Sequence, residues 1–208
     1  MTEEHKAPVE GSCDCGACAA TAAAGGDREA GMKAHRVEMQ AKIDKYGIAI
    51  IGVEGDPESV TPPIAMTIGM TDKGLPEFIL QGLNPKLAAG ALNHICHEII
   101  NGERVAGEHL ITEMFNLPLQ IVEVTSDYVV EVAGSVFNHY DGSEHKPKFM
   151  QVILCDKEGK FPWDEGFDNA EMDIYQCVMG KPAAVTKKIC IFGKMLDEMP
   201  KIPEGAFV

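Results

Sequence analysis

The apolar residues between positions 48 and 81 come in three runs, each too short to be a helix, and this spacing limits the fold more than any other feature of the chain. Ile48 to Val53 is β-branched and reads as a strand. Gly55-Asp56-Pro57 turns the chain, and Pro62-Pro63 introduces a second run, Ile64 to Met70. Thr71-Asp72-Lys73-Gly74 is a tight link to the third, Glu77 to Gln81, so the last two runs should pair as an antiparallel hairpin.

Around this block the pattern changes period. Met32, Met39, Ile43 and Tyr46 recur at helical spacing, and Gly47 supplies a stop. Asn84-Pro85 is a capping residue followed by proline at the first helical position. Ala88, Leu92, Ile95 and Ile99 then form one apolar stripe that Asn101-Gly102 ends. Residues 103–117 read as irregular, Leu119 to Val124 and Phe149 to Cys155 as strands, and 174–179 as a last strand. Tyr128 to Tyr140 fits either element: four valines argue strand, the resemblance described below argues helix. Helices and strands are mixed without βαβ alternation. The expected fold is therefore a single α+β domain, a largely antiparallel mixed sheet with two or three helices packed on it. Its limits are residues 32–180, after a Cys-containing arm at 1–31 and before an extended, proline-bearing tail at 181–208 that is expected to pack on the body or on a second copy in a homo-oligomer.

Charge narrows the partners. With 32 acidic and 18 basic residues the net charge is −14, which repels nucleic-acid phosphates and anionic membranes alike. A scattered acidic surface serves solubility; concentrated on one face it would instead imitate nucleic acid. No apolar stretch approaches the ~20 residues of a membrane span, and Met1 to Gly11 has no signal-peptide core. Seven cysteines, three of them crowded into Cys13, Cys15 and Cys18, fit a reducing, cytoplasmic setting better than a disulfide framework.

Those three cysteines are the most chemical feature. Their C-x-C-x-x-C spacing lets the sulfurs converge on one soft cation, zinc or iron, leaving a fourth position for His5, His35, another thiol, water or a second chain. The plainer alternative is an arm with exposed thiols. His94 and His97 fall on the polar side of the second helix and read as a solvated face, while Cys96 borders the apolar stripe. Two pocket candidates remain. Trp163, flanked by Asp164 and Glu165 in the loop Phe161 to Phe167, offers stacking area and acid groups, or simply anchors the loop. Thr67 and Glu77 flank the hairpin turn with Thr71 and Asp72, where polar side chains usually satisfy backbone groups; as a site, Glu77 and Glu165 would form a carboxylate pair for acid–base work. Walker A, G-x-G-x-x-G, G-x-S-x-G and kinase signatures are all missing.

Several of these segments, in order, resemble the bacterial family known as domain of unknown function 4262. They are Pro62 to Thr71 with Gly74-Leu75-Pro76-Glu77; Gly82-Leu83 leading to Leu92-Asn93; and Gln151-Val152, Asp156 and Phe161-Pro162-Trp163-Asp164-Glu165-Gly166-Phe167. The likeness runs from about residue 32 to 180. It implies a compact cytoplasmic α+β domain and brings no activity with it. The expectation is a ligand- or protein-binding module with a metal-binding Cys arm. The alternatives are a metal-assisted enzyme with its pocket at the Phe161–Phe167 loop, and an acidic nucleic-acid mimic.

Overall fold

A computed structural model describes residues 22–23, 25–56, 61–107, 109–112, 114–168 and 176–180. Cys13, Cys15, Cys18 and the tail at 181–208 lie outside the described residues. The elements run α1 (Arg28–Tyr46), β1 (Ala49–Val53), β2 (Ile64–Ile68), a 3₁₀ turn (Thr71–Lys73), β3 (Glu77–Gln81), α2 (Pro85–Ile100), β4 (His109–Ile111), β5 (Leu119–Glu123), α3 (Val129–Val132), α4 (Gly134–His139) and β6 (Phe149–Leu154).

Six strands form one sheet in the order β1-β2-β3-β6-β5-β4. Every pairing is antiparallel except β3–β6, which is parallel with Glu77 opposite Phe149. The fold is α+β as expected, and the hairpin β2–β3 forms with Ile64 opposite Gln81. The sheet is mixed because β6 returns after a long excursion and inserts between β3 and β5. Alternation along the strands gives two apolar faces. Phe78, Leu80, Ile121, Val152 and Leu154 meet Ala88, Leu92, Ile95 and Ile99 of α2 on one of them. Ile51, Met66, Ile68, Ile79 and Phe149 meet Met39 and Ile43 of α1, and Val136 of α4, on the other. Helices on both faces explain why β2, β3 and β6 are buried throughout and lack an apolar–polar alternation.

Local chemistry sets the helix ends. Asp27 caps α1 by accepting from the Glu29 and Ala30 amides, and Gly47 ends it in the left-handed conformation. Asn84 caps α2 through the Lys86 amide, with Pro85 at the first position. The ambiguous stretch is helical. Val129, Val132, Ala133, Val136 and Tyr140 recur every three or four residues and face the core, while Val130 is exposed. Helical period decides there over the strand preference of valine.

Two expectations need correction. Residues 103–117 are not wholly irregular, since His109–Ile111 pairs with β5 as a short edge strand. Residues 176–180 do not form a ladder strand; a single bridge joins Gly180 to Val124. Side-chain amides hold this segment instead. Gln151 donates to the Cys177 carbonyl at 2.7 Å and accepts from the Met179 amide at 2.8 Å. Gln81 accepts from the Cys177 amide at 2.9 Å, and Gln176 exchanges bonds with both backbone groups of Leu154. The buried Gln81 and Gln151 are therefore satisfied by a crossing strap. A Cβ on Gly180 would stand 1.9 Å from the Glu123 carbonyl oxygen, a backbone atom. Gly180→Ala should displace the strap and destabilise the domain by about 1–3 kcal/mol in urea unfolding; unchanged stability would show that the close approach is not needed.

Candidate functional site

Glu77 is the first residue of β3, is fully buried, and points to the face covered by α1 and α4. Its carboxylate is the hub of a hydrogen-bond network. Oε1 accepts from the Thr71 amide at 2.9 Å, the Gly69 amide at 3.1 Å and the Tyr140 hydroxyl at 2.8 Å. Oε2 accepts from the Thr67 hydroxyl at 2.6 Å, which in turn accepts from the Phe78 amide at 2.8 Å. The Gly69 amide is shared with the Tyr140 oxygen at 2.8 Å. Gly69 has φ +109°, and a side chain there would press on Ile43, so glycine lets the turn bring its amide to the carboxylate.

The surroundings fix protonation states. Burial, and then the adjacent Glu77 carboxylate, push the Tyr140 phenol far above its ordinary value, so it stays a donor. Burial, with Glu77 again adding, likewise raises the Cys96 thiol well above its ordinary value. Cys96 is therefore an unreactive core thiol. Lys73 clamps the turn from outside, donating to the Gly47 carbonyl at the end of α1 and to the Gly69 carbonyl.

Both oxygens of Glu77 are engaged by protein donors, so the network holds the turn in place. What it supports is the 3₁₀ turn, whose first residue lines an open cleft of about 650 Å³ at the amino-terminal ends of β3 and β6. Thr71, Pro76, Glu123, Glu144, Lys146 and Lys148 contribute to its wall. Thr71 is 7% exposed, and its hydroxyl has no hydrogen-bond partner among the described residues. The volume falls within the usual range for small-molecule sites, roughly 300–1,000 Å³.

The other candidates lie elsewhere. The loop after β6 is closed by Asp156, whose carboxylate accepts from the amides of Glu158, Lys160 and Asp168. Trp163 stacks on Phe161 at 5.4 Å, against the core residues Ile153, Val122 and Cys155. Asp164 accepts from the Phe161 amide at 2.9 Å, and Glu165 is exposed. Since β3 and β6 run parallel from Glu77 and Phe149, this loop begins beyond the far end of β6, about 16 Å along the strand. The structure thus joins Thr67 to Glu77 and sets both apart from Trp163, Asp164 and Glu165. Sequence reading singled out Thr67 and Glu77 as pocket candidates with Thr71 beside them; of the three only Thr71 lines the cleft. That reading missed Tyr140, 63 residues from Glu77, and the lysines before β6. His94 contacts Glu98 at 3.3 Å, and Arg104 pairs with the same carboxylate at 2.6 Å, so this helix face is an ion-paired surface. Among the described residues no group of three or more His, Cys, Asp or Glu is placed to hold a metal.

Tyr140→Phe removes one donor to the buried carboxylate and leaves the rest of the site in place. It should cost about 1–3 kcal/mol by chemical denaturation; a loss below 0.5 kcal/mol would show that the bond has little net value. For Asp156, burial pulls the carboxyl upward, but the amides of Lys160, Asp168 and Glu158 outweigh it, so its pKa lies below the ordinary value. The sign follows from linkage: its stabilisation is present above the unfolded value, about pH 4, and is lost as pH falls through the lower folded value. Asp156→Asn should therefore be destabilised at neutral pH and lose less on acidification than the parent, as read from unfolding midpoints across that range.

Among the described residues, no helix is long and apolar enough to cross a membrane. Neither the curated proteins nor the solved structures yield a match to the chain. One family model does match, over residues 42–168, from the last five residues of α1 through the Trp163 loop and across more than half of the 208 residues. The hairpin with its buried Glu77 and the loop closed by Asp156 both fall inside that span, and the chain belongs to the family described as "Domain of unknown function (DUF4262)".

Proposed function

We propose that the domain is a binding module for a small zwitterionic ligand, an amino acid or a short peptide, held in the cleft beside the 3₁₀ turn. The observation behind this reading is the Thr71 hydroxyl, buried beside the cleft without a partner among the described residues, while its own backbone amide is fixed by Glu77. An unpaired buried hydroxyl costs about 1–3 kcal/mol, a cost that a ligand oxygen would relieve. Lys146 and Lys148 in the lining suit an acidic group, and Glu144 suits a cationic or donor group. A ligand with both ends matches this lining better than a simple anion does.

No acid–base pair supports catalysis here, because Glu77 is enclosed by its four donors. The Phe161–Phe167 loop offers less for an enzyme. Its tryptophan is stacked, and Asp164 already caps the loop. A site of action in the cytoplasm belongs to the same proposal, in keeping with Cys96 and Cys177, which form no disulfide among the described residues.

Thermal-shift and calorimetric titrations with free amino acids, dipeptides and monocarboxylates test the reading. Zwitterions should raise the melting temperature; saturation at 100 times Kd corresponds to about 2.7 kcal/mol. Thr71→Val should be at least as stable as the parent, since it deletes the unpaired hydroxyl, yet lose most of the ligand-induced shift. Lys148→Ala should weaken binding as well. Full ligand response in Thr71→Val, or no response to any zwitterion in the parent, would overturn the proposal.

A further inference from the structure

His35 lies in the buried row of α1 with Gly31, Met39 and Ile43, and is 6% exposed. Neither of its ring nitrogens has a hydrogen-bond partner among the described residues. An imidazole buried this deeply normally satisfies at least one nitrogen. Across the seam where α4 packs on α1, the Nδ1 atom of His139 is buried and unpartnered too, as is Nε of Arg36. Met32, His35, Arg36, Ser135, Asn138 and His139 line a small cavity between the two helices, with room of about 10 Å³. That admits one water or one monatomic ion and excludes phosphate or any organic ligand.

The donors and charges of the lining separate these occupants. None of the six residues is acidic, and Arg36 carries a charge at every working pH. Its Nε can only donate. Arg36 forms no ion pair among the described residues. A cation would face this guanidinium with no carboxylate in the lining to hold it. A water would accept from Nε but leave the positive charge uncompensated. A monatomic anion balances the charge, accepts from every donor it meets and needs to donate nothing. Ser135 and Asn138 bring a hydroxyl and an amide to the lining, and each neutral imidazole brings one N–H.

The charges around the seam leave room for such an ion. On α1, Glu38 pairs with Lys42 at 2.9 Å, so their fields at His35 largely cancel. From the 3₁₀ turn, Asp72 acts on His139, but it is exposed and solvent screens it. Burial, opposed by Glu38 and assisted by Lys42, lowers the His35 pKa. Burial, opposed by Asp72 and assisted by Arg36 and His35, lowers that of His139. Both rings are therefore neutral near pH 7. An anion beside them favours the imidazolium, so its binding takes up protons and strengthens as pH falls.

We infer that the seam between α1 and α4 is a binding site for one chloride-sized monatomic anion, held by Arg36, His35 and His139. The ion ties the two helices together. Tyr140, which follows His139, donates to Glu77, so a steadier α4 also steadies the buried carboxylate network. The inference is independent of the cleft ligand proposed above, since the Thr71 cleft shares no residue with this seam.

The test is thermal unfolding of the full chain in sodium chloride, bromide and gluconate at equal ionic strength, with anomalous scattering from crystals grown in bromide. Chloride and bromide should raise the melting temperature above that in gluconate by roughly 2–4 °C at about five times Kd, the shift expected for a chain of this size. The difference should be larger at pH 6 than at pH 8. A bromide peak should stand between Arg36, His35 and His139. Arg36→Gln should lose most of the chloride effect, whereas His94→Gln, on α2, should keep it. If Arg36→Gln folds poorly, bromide scattering from the parent decides alone. Equal stability in chloride and gluconate, or an ordered water with no bromide at the seam, would overturn the inference. So would a full chloride effect in a folded Arg36→Gln protein, or a chloride effect that shrinks on acidification.

Discussion

A carboxylate in a fully apolar surround must collect its own donors, and the way Glu77 does so organises the centre of this protein. A buried, unpaired carboxylate would cost several kcal/mol. Glu77 instead takes four donors from the hairpin turn and from Tyr140. Three elements are tied together in one move. The turn between β2 and β3 is held inward, α4 is fixed over the sheet, and the start of β3 is pinned beside the start of β6. The outer shape of the Thr71 cleft follows from this inner bond, because the amide of Thr71 faces the carboxylate while the residue itself stands in the cleft wall. One residue thus joins the buried network to the wall of the cleft.

Much of this was legible in the sequence, for local reasons. Asn84-Pro85, Gly47 and the tight link Thr71 to Gly74 mark boundaries through chemistry that operates within a few residues. The stripe Ala88, Leu92, Ile95 and Ile99 predicts its own burial. What failed to show were features that depend on distant chain. The parallel insertion of β6 beside β3 has no local signal. Tyr140 could not be assigned to Glu77, because nothing between them encodes the contact. Gln81 and Gln151 read as ordinary strand residues, yet they bind a strap that arrives from residues 176–180. His35 was visible only as a candidate ligand, since the apolar stripe was traced through Met32 and not through the true buried row of Gly31, His35, Met39 and Ile43.

The loop containing Trp163 shows how the same residue types can mislead. A tryptophan beside two acids suggests a pocket, but Asp164 accepts the Phe161 amide and the ring lies flat on its neighbour. Asp156, which in the sequence is one residue of the family resemblance with no role attached, is the residue that closes the loop, through three backbone amides. Acidic side chains in this protein are spent repeatedly on backbone donors: Asp27 at a helix cap, Glu77 at a turn, Asp156 at a loop base. That habit explains part of the acidic composition without invoking any partner.

The parallel junction at the middle of the sheet also bears on how the chain acquires its shape. β1, β2 and β3 are neighbours in sequence and can zip together early, and β4 and β5 form a second local pair. The strand that unites these halves, β6, meets β3 only after an excursion from Gly82 to Lys148, so its closure entropy must be met before any of its contacts reward it. Assembly should therefore be gated by that late insertion. Until it happens, β3 and β5 present bare edges to other chains, which makes the half-built protein more prone to association than the finished one.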